Sequence, residues 1–149
     1  MSRLLGLVVA GMVMITACAT PAGQVGGIRI ENAWSRPAAA GSNGAVYFTL
    51  RNSGGADRLV AASTDVARAS EIHKTSTEGG VARMTHVTGI DVPAGGSIEL
   101  KPGSYHIMLI GLNRELRGGD KFSITLTFQS GASGTVTVEV KGNDPPPAY

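Results

Sequence analysis

The chain has 149 residues, a formal net charge of +2 and one cysteine. This length is typical of a single domain. The near-zero charge gives no electrostatic basis for binding nucleic acid, and a lone cysteine excludes a disulfide within one chain. Because only 5% of the residues are aromatic, the core must be built mainly from Val, Ile, Leu and Ala.

The first eighteen residues are typical of an export signal. Arg3 gives a positive start, and the apolar run over residues 4–15 is shorter than the ~20 residues that span a bilayer. The run ends in Ile15-Thr16-Ala17-Cys18, which resembles the lipobox of bacterial lipoproteins, where the cysteine carries a diacylglycerol. We therefore expect a lipid anchor on Cys18 and a domain that faces the periplasm or another extracytoplasmic space. Ordinary signal-peptide cleavage after Ala19 is the alternative.

Segments rich in Pro and Gly flank the remaining domain. We expect residues 19–27 to be a flexible tether. Asn143–Tyr149 contains three consecutive prolines, so we expect an extended tail that forms neither helix nor central strand. The domain itself is then expected over residues 28–142.

Nine short segments of this domain have the composition of β-strands. Each is bounded by Gly, Pro, Asn or Asp, and no stretch shows a sustained helical period. The predicted strands are residues 28–34, 45–51, 57–63, 69–75, 81–87, 97–100, 105–112, 121–129 and 135–141. This spacing predicts an all-β fold, either an antiparallel sandwich of the immunoglobulin-like kind or a barrel.

Histidine and methionine are concentrated in one part of the domain. Outside the export signal, all of these residues lie within one short stretch, namely His73, Met84, His86, His106 and Met108. A single Met in a strand usually fills the core, but the clustering of both residue types favours a metal site. Thioether sulfur suits Cu(I), whereas imidazole suits several transition metals. The pattern therefore predicts a copper site, in which the role of His86 is open.

The first two candidate ligands belong to a predicted hairpin. If residues 77–80 all form the loop, His73 lies directly opposite Met84. If Gly79-Gly80 alone form a two-residue turn, His73 faces His86 and Met84 is its diagonal neighbour. Both registers place His73 and Met84 on the same face, roughly 5 to 8 Å apart at Cβ.

The other two candidate ligands share one strand. His106 and Met108 are two residues apart, so their side chains project from the same face. Tyr105, Ile107 and Leu109 point to the other face and are predicted to belong to the core. The chain that links the two pairs contains turn residues, so the hairpin and this strand are expected to converge on one ion.

The sequence gives no pattern typical of an enzyme. It has no recognisable nucleophile constellation, no Gly-rich phosphate loop and no Cys-x-x-Cys pair. A blue-copper electron carrier needs a cysteine thiolate with two histidines, and Cys18 belongs to the export signal. We therefore expect binding and exchange of a metal rather than catalysis.

The spacing His-x10-Met-x21-His-x-Met resembles the periplasmic copper chaperone family usually called PCu(A)C. The resemblance extends to residues 32–37 (NAWSRP), 44–50 (GAVYFTL) and 100–109 (LKPGSYHIML). It implies a cupredoxin-like β-sandwich that binds Cu(I) and delivers it toward cytochrome oxidase assembly, with the CuA subunit or an assembly factor as acceptor. The ligands implied by position are His73, Met84, His106 and Met108.

Two departures from the family pattern change what is expected. Many members have Met directly after the first His, where this chain has Lys74. Some members carry a His- and Met-rich C-terminal extension that holds Cu(II), and Asn143–Tyr149 contains neither residue type, so a second site of that kind is not expected. The alternatives are a metal-free structural or adhesive envelope lipoprotein and a protein that sequesters copper for tolerance.

Overall fold

The computed structural model describes residues 23–142. The expected export signal, the lipidation site at Cys18 and the tail over residues 143–149 lie outside the described residues. Within them the chain is all-β, and no helix is long and apolar enough to cross a membrane. The eleven strands are β1 (Gln24–Val25), β2 (Ile28–Ser35), β3 (Gly44–Asn52), β4 (Asp57–Ser63), β5 (Ala67–Glu78), β6 (Val81–His86), β7 (Ile90–Val92), β8 (Ser97–Leu100), β9 (Tyr105–Leu112), β10 (Lys121–Phe128) and β11 (Ser133–Val140).

The strands form one hydrogen-bonded path in the order β6-β5-β9-β3-β2-β11-β10-β4-β7, with β1 added to β2 and β8 to β3. β3 lies in the middle of this path yet contacts β7 at its end. The path therefore folds over on itself around one core, which confirms the predicted all-β sandwich. The core contains strand residues from both ends of the path, including Ile72 of β5 and Ile90 of β7.

The sequence predicted a wholly antiparallel sheet, and this prediction is wrong for one pair of strands. β2 and β11 run parallel, with Trp34 opposite Glu139 and Ser35 opposite Val140. These two strands lie at opposite ends of the domain sequence, so no short hairpin loop fixes their relative direction. The sheet is therefore mixed, with a single parallel pair among the described strands.

Two strands were not predicted, and one of them corrects the expected tether. Gln24–Val25 pair with β2, Val25 is 4% exposed, and the backbone N–H of Ile30 donates to the carbonyl of Gly23 over 2.6 Å. Residues 23–27 thus belong to the packed domain. β1 has two residues and β7 has three, so neither is long enough to show the alternation that identifies a strand in sequence.

The hairpin between β5 and β6 has a two-residue turn. Gly79 and Gly80 have φ values of 57° and 78°, as a type I′ turn requires at both central positions. The resulting register pairs His73 with His86 and Thr75 with Met84. Of the two registers that the sequence allows, the structure has the one in which Met84 is the diagonal neighbour of His73.

Candidate metal centre

Three adjacent strands carry the three histidines in one row. His73 on β5 pairs with His86 on β6 and with His106 on β9. Because directly paired residues project from the same face of a sheet, the rings are neighbours, with centroids 5.9 Å apart for His73 and His86 and 5.8 Å apart for His73 and His106. His86 is exposed, His73 is half-buried and His106 is buried, so the row runs from solvent into the fold.

A carboxylate orients the ring of His73. Nε2 of His73 lies 2.9 Å from Oε2 of Glu71, two residues earlier on the same face of β5. An ionised carboxylate can only accept a hydrogen bond, so Nε2 donates and Nδ1 of the neutral ring carries the lone pair. This Nδ1 is buried and has no hydrogen-bond partner in the part of the chain that the structure describes.

A backbone carbonyl orients the ring of His106 in the complementary way. Nδ1 of His106 donates to the carbonyl of Ser104 over 3.2 Å, which leaves the lone pair on Nε2. That Nε2 is also buried and without a partner among residues 23–142. Burial lowers the pKa of His106, the Ser104 hydrogen bond opposes this shift, and the nearby His73 adds to it. The neutral form, which is the ligand form, is therefore favoured.

These two nitrogens fit a metal ion. A buried acceptor left unpaired costs roughly 1–3 kcal/mol, and such groups call for an explanation such as an unseen ion. Both unpaired atoms are lone-pair nitrogens on neighbouring rings. No three His, Cys, Asp or Glu side chains form a ready metal-binding group within residues 23–142. The remaining donors must therefore come from thioethers or from a histidine that rotates.

The two methionines flank the histidine row on opposite sides. Met84 pairs with Thr75, and Met108 pairs with Glu71, so each is a diagonal neighbour of His73 at roughly 7–8 Å. In a flat sheet their Cα atoms would be about 16 Å apart, from the rise per residue and the strand spacing. The structure thus brings His73 and His106 together and leaves each thioether to reach inward by side-chain rotation.

The methionines also differ in exposure. Met84 is 53% exposed on the edge strand β6, whereas Met108 is half-buried between β5 and β3. The unbranched thioether side chain has three rotatable bonds and adapts easily. Rotation about these bonds can carry either thioether toward the histidine pair.

Aromatic rings extend the row into the domain. The ring centroid of Tyr47 on β3 lies 6.2 Å from that of His106, and Trp34 on β2 follows at 4.7 Å. A bulge in β2, where Asn32 has a φ of 53°, shifts the register and sets Trp34 opposite Tyr47. Burial raises the pKa of Tyr47, partly offset by Arg36. Tyr47 lies next to the most buried histidine of the row.

The sequence identified the five candidate donors but not the groups that orient them. Glu71 has a signal in the sequence, since it lies two residues before His73 on a strand and so shares its face. The carbonyl of Ser104 has none, because backbone hydrogen bonds to a side chain depend on the local chain path. The same holds for Tyr47, whose strand meets β9 only in the folded sheet.

Comparison with known proteins gives the same fold and a family. Residues 28–140 match the family described as "Putative lipoprotein LpqE-like". A relative from Leifsonia xyli, "Putative lipoprotein Lxx21020", is 35% identical over 140 residues, which cover 93% of this chain and 84% of the relative.

Two solved structures are similar in fold. The copper-bound PCuAC domain from PmoF2 superposes with a TM-score of 0.68 at 23% identity, covering 81% of this chain and 97% of that domain. The solution structure of CuI-DR1885 from Deinococcus radiodurans has a TM-score of 0.60 at 33% identity, covering 76% of this chain and 79% of that one. The chain therefore belongs to the LpqE-like family and has the β-sandwich fold of PCuAC domains, which confirms the resemblance drawn from its sequence.

Proposed function

We propose that this protein is an extracytoplasmic metallochaperone that binds Cu(I) through His73, Met84, His106 and Met108 and delivers it to an acceptor protein. The observation that carries the proposal is the pair of buried, unpartnered lone pairs on His73 Nδ1 and His106 Nε2. The paired strands β5 and β9 hold the two rings as neighbours, with centroids 5.8 Å apart, and a methionine lies diagonally from His73 on each side.

The donor set suits reduced copper. All four donors are neutral, so the bound ion keeps its single positive charge. Thioethers favour Cu(I), and imidazole tolerates it. No thiol must be deprotonated, and Met84 is exposed at the edge of the sheet, so an acceptor can replace one ligand at a time. The chemistry is ligand exchange of a cargo ion rather than turnover.

Relatives support both the cargo and the location. A copper-bound PCuAC domain and a Cu(I)-bound protein share the fold. The family and the relative from Leifsonia xyli carry the lipoprotein description, which agrees with a lipid on Cys18 and an anchored domain facing the periplasm or extracytoplasmic space. The acceptor we propose is a copper protein of cytochrome oxidase assembly, either the CuA subunit or an assembly factor.

The binding step is tested by anaerobic titration of the purified protein against a chromogenic Cu(I) chelator. We expect one Cu(I) per chain and weaker binding after Met84→Ala or Met108→Ala. Thr85→Ala is the matched control, because Thr85 is an exposed neighbour of Met84 and projects from the opposite face of β6. Unchanged Cu(I) affinity in both methionine variants would show that the thioethers do not bind the ion.

The delivery step needs a separate measurement. The Cu(I)-loaded protein is mixed with a purified candidate acceptor domain, the two are separated, and the copper content of each is measured. We expect copper to move to the acceptor. Retention of copper by the loaded protein against every acceptor tried would favour sequestration for tolerance.

A further inference from the structure

We propose that the sulfur of Met84 is a site of reversible oxidation, at which a peroxide converts the thioether to a sulfoxide and thereby weakens Cu(I) binding. The loss of Cu(I) binding rests on the proposed function, because it requires Met84 to be a ligand. The oxidation itself does not depend on copper, so the two parts of the inference are tested separately.

Met84 lies where an oxidant in solution can reach its sulfur. The residue is 53% exposed, and every residue of β6 is exposed. β6 ends the hydrogen-bonded path of strands, so within residues 23–142 no further strand covers its outer edge. Because oxygen transfer requires the peroxide to contact the sulfur, this position favours the reaction.

The second methionine of the domain provides an internal reference. Met108 is half-buried, and its strand β9 is paired on both sides, with Glu71 of β5 and Ala45 of β3 as the partners of Met108. The two thioethers are chemically identical, so any difference in their reactivity comes from the fold. We therefore expect a peroxide to oxidise Met84 before Met108.

The reaction is a two-electron transfer of oxygen. A lone pair of Met84 Sδ attacks one oxygen of hydrogen peroxide, the S–O bond forms, the O–O bond breaks, and the other oxygen leaves as water after proton transfer. The sulfur loses the two electrons that the peroxide gains. A methionine sulfoxide reductase reverses the change. Two thiols of that enzyme supply two electrons and two protons, the sulfoxide oxygen leaves as water, and the thiols form a disulfide.

The product is a poor ligand for Cu(I). Thioether sulfur is soft and selects Cu(I), whereas the sulfoxide is polar and presents a hard oxygen. The fold should tolerate this change, because Met84 is exposed and lies outside the hydrophobic core. Oxidation of Met84 thus changes a ligand without unfolding the domain, which is what a reversible modification requires.

The first measurement follows the oxidation of each methionine. The purified metal-free protein is treated with hydrogen peroxide, and the peptides that contain Met84 and Met108 are quantified by mass spectrometry after proteolysis. We expect Met84 to oxidise at least about threefold faster than Met108, because its sulfur is the more accessible of the two. The matched control is the same protein in denaturant, where the fold is lost and the two rates should become equal.

The second measurement follows Cu(I) affinity by anaerobic chelator competition, after the peroxide has been removed. Protein oxidised at Met84 alone should bind Cu(I) at least about tenfold more weakly, the lower end of what disturbed ligand shells cost. Treatment with methionine sulfoxide reductase should restore the affinity. Met84→Leu cannot form a sulfoxide, so the same peroxide treatment should leave its Cu(I) affinity unchanged.

Three results would overturn the inference. The first is equal oxidation of Met84 and Met108 in the folded protein, and the second is unchanged Cu(I) affinity after selective oxidation of Met84. The third is a loss of Cu(I) affinity that the reductase does not restore, which would assign the loss to other damage. Failure of the unoxidised protein to bind Cu(I) would instead contradict the proposed function and leave the difference in oxidation rate intact, so the two failures are distinguishable.

Discussion

Removing the Glu71 carboxylate tests whether the orientation of His73 matters for copper binding. The 2.9 Å hydrogen bond from His73 Nε2 to Glu71 holds the tautomer that leaves Nδ1 free to bind. Hydrogen bonds to charged groups contribute about 1.5–3 kcal/mol when buried. Because the Glu71 side chain is 41% exposed, solvent screens this bond, and we expect it to contribute about 1 kcal/mol. That energy corresponds to about a fivefold loss of Cu(I) affinity in Glu71→Ala.

The assay is anaerobic competition with a chromogenic Cu(I) chelator. Glu71→Gln should lose less affinity than Glu71→Ala, because its amide oxygen still accepts a hydrogen bond from His73. Glu78→Ala is the matched control, since Glu78 lies on the same strand at the exposed end of the hairpin. Cu(I) affinity that is equal in Glu71→Ala and the unchanged protein would refute the argument that the carboxylate positions the ligand.

Three further predictions concern the fold beneath the site. Gly80→Ala should lower the free energy of unfolding by about 1–2 kcal/mol, because the position has a positive φ and the new Cβ would have no contact within 4 Å to offset the strain. Gly79→Asn should be close to neutral, because Asn is favoured in a type I′ turn. Ile107→Ala, at 0% exposure, should cost about 2–5 kcal/mol, and Val81→Ala on the exposed edge should change stability by less than about 0.5 kcal/mol. Since burial lowers the pKa of His106, the unfolded chain takes up a proton first, so stability should be level above about pH 6.5 and fall as the pH drops. Chemical denaturation between pH 5 and 8 measures the free energy of unfolding that all three predictions concern. If His106→Phe loses less stability at acid pH than the unchanged protein, the titration belongs to that ring. An unchanged loss of stability at acid pH would exclude His106.

Much of the site followed from local rules that act along the sequence. Alternation of side chains in strands placed His106 and Met108 on one face and Ile107 and Leu109 in the core. The preference of thioethers for Cu(I) predicted the type of ion before any geometry was known. The two-glycine segment reduced the hairpin to two registers, because only a few short turns fit the twist of paired strands.

What the sequence by itself determined, then, was an all-β domain in which two histidine and methionine pairs lie on strand faces. Only the tertiary structure decided which strands meet, because pairing between distant segments depends on packing of the whole core rather than on local preference. β9 could be placed beside β5, and β2 beside β11 in parallel, only in the folded sheet. That placement put His106 next to His73, completed the histidine row with His86, and left the two methionines on opposite sides of it.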